Sequence, residues 1–142
     1  MLYEHYSEVP WDKERWPNFS PDEPNLFCPC CGEFYFDPIG LDMLQNVRKL
    51  VGRAIRINSG HRCPIHNVRV GGAPLSEHKK IAYDISIRGQ DPGQILIACV
   101  KSGFTTFGFY GTFLHTDRRP NRRWITEGGK KTWSGLLKSL AL

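Results

Sequence analysis

The chain has 142 residues, 40% apolar and 23% charged, which fits one globular domain and excludes a disordered chain. Nineteen Lys and Arg against fourteen Asp and Glu leave a net charge of +5 and a pI near 9.1, a balance that favours an anionic partner such as nucleic acid, lipopolysaccharide, teichoic acid or anionic wall peptide. No apolar run reaches the roughly 18 residues of a membrane helix, so membrane insertion is not expected.

From the N-terminus, Met1–Trp16 shows no apolar stretch after a basic start, so synthesis in the cytoplasm without a signal peptide is expected. Residues 1–27, rich in Pro and Trp without a clear period, predict an extended arm laid on the core. The run Cys28-Pro29-Cys30-Cys31-Gly32 concentrates three of five cysteines, with Cys63 and Cys99 far away. An odd count argues against a complete disulfide framework. Reduced, partly buried thiols are expected; a structural metal on the three, completed by Cys63 or a His, is the other reading.

Asp37-Pro38 announces a helix in which Leu41, Leu44, Val47, Leu50 and Val51 recur at helical spacing up to Gly52. Residues 54–59 alternate, with Ile55 and Ile57 on one face, and predict a strand. A polar loop runs from Gly60 to about Lys80, followed by a strand over 81–87. Asp91-Pro92 opens a second helix carrying Ile95, Leu96, Ala98, Cys99 and Val100, which Gly103 closes. Two strands joined at Gly111 follow, and residues 131–142 predict a short amphipathic helix. The fold class expected is α+β: one domain over 1–142, a short antiparallel sheet with flanking helices, an arm (1–27) and a tail (125–142). Six basic residues, Arg118, Arg119, Arg122, Arg123, Lys130 and Lys131, crowd the C-terminal third, as a polyanion-binding patch or as an ordinary solvated surface.

Three residues stand out as metal ligands: His78 in the polar loop, Asp84 in the next strand and His115 in a later one. Two His and one carboxylate meet the needs of a catalytic zinc, which takes three protein ligands and keeps one position open. Their surroundings carry a resemblance. Ser59, Gly60 and Arg62, then Pro64, Asn67, Val70, Gly71, Gly72 and Ala73, then Ser76 and His78, then Ala82, Asp84 and Ile85 form one signature. Tyr110, Phe113, His115, Asp117, Arg119 and Trp124 form a second. Over residues 18–124 the chain resembles the D-Ala-D-Ala carboxypeptidase-like zinc metallopeptidases, especially the short single-domain forms of phages and bacteria. It departs from them in spacing: His78 and Asp84 are separated by five residues where the family has six, and the family's glycine is absent.

The resemblance implies a Hedgehog/DD-peptidase-like fold with the zinc site at the sheet face. It implies Zn2+ held by His78, Asp84 and His115, and hydrolysis of a D-Ala-containing or L-Ala–D-Glu bond in peptidoglycan. Arg62 is the implied anchor for a substrate carboxylate, against a reading as a surface ion pair. Ser76 and Tyr110 either donate to the developing oxyanion or pack. Asp117 is a general base, a partner that fixes an imidazole, or a salt-bridge acceptor for a neighbouring arginine; the usual base positions hold Thr112 and Phe113, which accept no proton. The expected partner is bacterial peptidoglycan, with no nucleic acid, and the protein is expected to act as a monomer at the cell wall, as a phage-type lysin. A wall-binding domain that keeps the fold without turnover is the alternative. A small nucleic-acid-binding zinc protein is a third reading, which no complete finger spacing backs.

Overall fold

The computed structural model describes residues 1–142. Helix α1 spans Pro38–Val51, with proline at its first turn and Gly52 at φ 75° closing it. Leu41, Leu44, Val47 and Val51 are buried along one stripe; Leu50, expected among them, lies on the exposed side. Helix α3, Pro92–Lys101, is capped by the Asp91 side chain, which accepts from the amides of Gly93 and Gln94. Ile95, Leu96, Ala98 and Cys99 face inward, Val100 outward, and α1 packs on α3.

These helices cover one face of a five-stranded sheet in the order β3 (Ile57–Ser59), β4 (Tyr83–Ser86), β6 (Phe113–Asp117), β5 (Thr106–Phe109), β7 (Arg123–Ile125). The first three pairings are antiparallel, whereas β7 runs parallel to β5, so the sheet is mixed at its far edge. Strand side chains alternate between faces. Tyr83, Ile85, Leu114, Phe107 and Phe109 therefore join the helix-covered core. The register pairs Asp84 with His115 and His115 with Gly108, which puts Asp84, His115 and Asp117 together on the opposite face.

Four features differ from the sequence expectation. Residues 1–27 lie on the core but also carry structure of their own: Trp16, Phe19 and Leu26 are buried, the Trp16 indole donates to Asp42 at 2.9 Å, and β1 (Leu2–Tyr3) pairs with β2 (Phe34–Tyr35). The loop 60–80 contains helix α2 (Pro64–Arg69) and a 3₁₀ turn at Glu77–Lys79. Strand β7 was not expected. Helix α4 spans Glu127–Ser139, starting ahead of the expected 131, with Thr126 as its cap. The Gly128-Gly129 pair disguised that start. Gly129 is required by packing, because a Cβ there would collide with the Phe109 carbonyl. Trp133 of α4 is buried, and its indole donates to the Tyr110 carbonyl at 2.8 Å.

Candidate active site

On the open face of the sheet three atoms converge. His78 Nε2 lies 3.2 Å from Asp84 Oδ1 and 3.2 Å from His115 Nδ1, and the last two are 3.0 Å apart. All three residues are buried. Each ring has its other nitrogen committed. His78 Nδ1 donates to the Gly60 carbonyl at 2.7 Å, and His115 Nε2 donates to Asp117 Oδ2 at 2.7 Å. With neutral rings, the two nitrogens inside the triangle and Asp84 Oδ1 are all lone pairs, with no proton between them. Three acceptors at this distance repel unless a cation sits among them. Ligands on tetrahedral zinc at about 2.0–2.1 Å stand about 3.3 Å apart, so this donor set fits that ion. Fixing the outer ring nitrogens on a carbonyl and a carboxylate is also how metal-binding imidazoles are held.

Without a metal, a proton would relieve the triangle, and the bonds around His115 favour it on that ring. Burial disfavours the charged ring, but the hydrogen bonds to Asp117 and Asp84 outweigh it and raise its pKa. Burial likewise pushes Asp84 upward, yet the hydrogen bonds from His115 and His78 hold it at about 2.

The chain reaches this geometry despite the short His78–Asp84 spacing. The 3₁₀ turn ends at Lys80, whose φ is −111°, and none of residues 79–82 has positive φ. The turn closes without a left-handed residue. Buried His61 anchors the turn by bonding the Lys80 carbonyl through Nδ1 and Glu33 Oε1 through Nε2, the latter at 2.7 Å. The role of His61 follows from Glu33 and Lys80, distant in sequence. Inserting Gly between Lys80 and Ile81 would move that carbonyl away from His61. The expected outcome is no gain in zinc affinity and a lower melting temperature, checked by zinc competition and thermal melts of parent and variant.

Asp117 has no free lone pair for proton abstraction. Its Oδ2 accepts from His115 and from Arg119 Nη2, the latter at 2.7 Å. Its Oδ1 accepts from the Arg119 amide at 2.9 Å and from Arg119 Nε at 3.0 Å. Burial acts to raise its pKa, but these bonds to His115 and Arg119 hold it well below the usual carboxylate range. Of the roles open to it, orienting His115 and pairing with an arginine coexist, and the base role has no geometry.

The triangle opens onto a cleft of about 620 Å³, within the usual range for ligand sites. Arg62 lines it and makes no ion pair; Nη2 donates to Ser76 Oγ at 3.1 Å, and Nε is buried without a partner. Desolvation lowers its pKa, partly offset by Asp84. Ser76 therefore holds Arg62, besides capping the turn that carries His78. Tyr110 also lines the cleft; its ring stacks on Phe113 with centroids 4.3 Å apart, and its hydroxyl accepts from Trp124 Nε1 at 3.0 Å. The Trp124 ring lies 5.0 Å from His115 and fills the space left by Gly108, where a Cβ would meet the indole at 2.5 Å. Glu77, not singled out in the sequence, is the only carboxylate besides Asp84 lining the cleft, with Oε2 3.5 Å from Arg119 Nε. Its position directly before a ligand His was the available signal.

The basic cluster is partly spent on internal pairs. Arg118 bonds Asp37, Arg119 bonds Asp117 and Lys130 bonds Glu127, while Arg122 lines the cleft.

A buried His–Asp–His set at the face of a sheet, opening on an arginine-lined cleft, is the framework of a metal-dependent hydrolase. Residues 18–117 match the family model described as Peptidase M15. The match covers well over half of the chain and includes His78, Asp84 and His115, so the chain belongs to the M15 peptidases. A comparison with curated proteins finds no match.

Proposed function

We propose that this protein is a zinc peptidase that hydrolyses a peptide bond in peptidoglycan stem peptides or cross-links. The observation that carries the reading is the buried triangle of His78 Nε2, His115 Nδ1 and Asp84 Oδ1 lining the cleft, with the outer nitrogen of each ring already bonded elsewhere. A zinc ion held there supplies Lewis acidity toward a scissile carbonyl and lowers the pKa of water. The rest of the chemistry belongs to the chain. Arg62, half-buried and without a carboxylate of its own, presents a guanidinium fork to a substrate carboxylate. Stem peptides are rich in such groups, at D-Glu and at terminal D-Ala. Tyr110, accepting from Trp124, keeps its O–H free to donate toward the oxyanion. Glu77 is the acceptor for the water proton, since Asp84 and Asp117 are committed.

The wall-binding alternative without turnover rests on the short His–Asp spacing and on the unfilled base position at Thr112 and Phe113; the triangle closes in spite of the first, and the proposed role of Glu77 answers the second. On this reading the protein acts at the bacterial wall, as a phage-type lysin released by a partner such as a holin. The test is digestion of purified peptidoglycan by the zinc-loaded protein, with mass spectrometry of the fragments. Release of free D-Ala marks a carboxypeptidase and release of cut stem peptides an endopeptidase. No fragment above the chelator-treated control would overturn the proposal.

Two substitutions examine the chain's own groups. Arg62→Lys keeps the charge but loses the planar fork. A charge-assisted hydrogen bond is worth about 1.5–3 kcal/mol, so kcat/KM should fall by about 10- to 100-fold, with zinc content unchanged. Unaltered kinetics would remove Arg62 from the substrate site. Glu77→Gln should lower kcat by about 10²-fold, in the range for a general base, again with zinc retained; wild-type kcat in that variant would show that the proton goes elsewhere.

A further inference from the structure

Away from the cleft, Cys28, Cys30, Cys31 and Cys63 bring their four sulfurs within 4.8 Å of one another. Cys30 Sγ is 3.5 Å from both Cys28 Sγ and Cys63 Sγ, and none of the four is in a disulfide. We propose that these four thiolates bind a second, structural zinc ion, which ties the N-terminal segment to the loop carrying Arg62. The inference does not depend on the His78 site.

Three observations support it. The first is size. Sulfurs on tetrahedral zinc at about 2.3 Å stand about 3.8 Å apart, so four sulfurs this close enclose a single ion, whereas a polynuclear cluster would spread them wider. An all-sulfur tetrahedral set selects a soft or borderline metal. The second is the turn itself. Cys28-Pro29-Cys30-Cys31-Gly32 contains a C-x2-C pair, Cys28 and Cys31, closed by hydrogen bonds to the Cys28 carbonyl from Cys31 N at 3.4 Å and Gly32 N at 2.8 Å. Gly32 makes the turn possible at φ 81°, where a side chain would also strike His5. Such a turn points neighbouring thiols to one side. The third is Cys63, which arrives from a separate segment to complete the set. Its sulfur accepts the His66 amide at 3.4 Å, a bond that favours a thiolate. The second C-x2-C pair of a zinc ribbon is thus replaced by Cys30 within the turn and Cys63 from the distant loop.

Binding exchanges four thiol protons for one Zn2+ and involves no electron transfer. It leaves a centre of charge −2, and uptake should be accompanied by proton release. Cys63 directly follows Arg62, so the ion fixes the backbone that aims the guanidinium. The fifth thiol, Cys99, is buried on the inner face of α3 and takes no part.

The experiment uses the full-length wild-type protein, purified under reducing conditions, equilibrated with zinc and gel-filtered. Two zinc ions per chain are expected. Titration with an organomercurial should release one of them as the four thiols react, and leave the ion on the imidazole–carboxylate site in place. In a His78→Ala/His115→Ala variant one zinc should remain, and all of it should be mercurial-releasable. Cobalt bound to that variant should show intense thiolate-to-metal charge-transfer absorption. Thiols that titrate in the wild type without releasing any zinc would overturn the proposal, as would a double variant that folds yet holds no metal. Because the double variant lacks the hydrolytic site, failure of the peptidase reading and failure of this one give different metal counts.

Discussion

Replacing His78 or His115 by Ala is expected to lower peptidoglycan hydrolysis by at least about 10³-fold while leaving a folded protein. Metal polarisation of a carbonyl contributes several kcal/mol to a transition state, and each 1.36 kcal/mol is tenfold in rate. Neither side chain carries the hydrophobic core, which lies on the opposite face of the sheet, so the fold should survive. Asp84→Ala should behave alike, with one difference. It removes the only negative charge inside the triangle, so zinc should be lost more completely than with either His variant. The check is zinc affinity by chelator competition alongside wall-digest rate; full occupancy of the triangle site in all three variants would disprove the ligand assignment.

Acid should mimic these variants. In the metal-free protein the His115 pKa is raised, so a proton competes with zinc from a higher pH than for a free imidazole, and affinity should fall steadily as pH drops. Asp84, held at about 2, stays ionised throughout. The linked stability of the metal-free fold has opposite signs for the two groups. The His115 contribution is present below its unfolded value, about pH 6.5, and is lost as pH rises through the raised folded value. The Asp84 contribution is present above its unfolded value near pH 4, and is lost as pH falls toward 2. Chelator-treated protein should therefore melt highest in mildly acidic buffer. A melting temperature flat from pH 5 to pH 8 would mean that His115 does not carry the proton.

The helices were legible because their ends are punctuated locally: proline at the first turn and glycine after the last, in both α1 and α3. The three candidate ligands could be singled out because a signature surrounds them, and because Asp84 and His115 sit in strands whose alternation could be read. What escaped depends on partners distant in the chain. Strand β7 is three residues beginning with Arg123, too short to show a period, and is defined by its pairing with β5. Trp16, Phe19 and Leu26 have no periodicity, yet tertiary contacts bury them. Leu50 and Val100 fit the apolar pattern of their helices but lie at the edge of the stripe, where the core no longer reaches. Cys63 was open, beside a His, as the residue completing the cysteine run, but only the fold brings its sulfur to Cys30, 33 residues upstream. The short His–Asp spacing looked like a defect because the compensating anchor, His61 on the Lys80 carbonyl, is visible only in three dimensions.

Asp117→Asn is expected to weaken zinc binding or turnover by about 10- to 100-fold, the usual cost of removing a carboxylate that orients a metal-binding imidazole. Size and shape are kept, so any effect comes from charge and hydrogen bonding. The carboxylate accepts from His115 Nε2 and from the Arg119 guanidinium and amide. An amide in its place must turn N–H groups toward one of these donors. If its oxygen faces His115, the NH2 meets Arg119; if it is flipped, the NH2 meets the ring and drives the imidazole toward the other tautomer, with a proton inside the triangle. The side chain is completely buried, so water does not relieve the mismatch, and an unsatisfied group of this kind costs about 1–3 kcal/mol. Melting should therefore fall together with metal affinity. The two effects are separable through Arg119→Ala. That variant removes the salt bridge and lowers stability but leaves Asp117 free to hold His115, so its zinc affinity should stay within a few-fold of the parent. Equal loss of zinc in both variants, tracking only the drop in stability, would reduce Asp117 to a structural ion pair. Loss in Asp117→Asn alone, recovered in part by excess zinc, would establish it as the residue that keeps the His115 lone pair aimed at the metal.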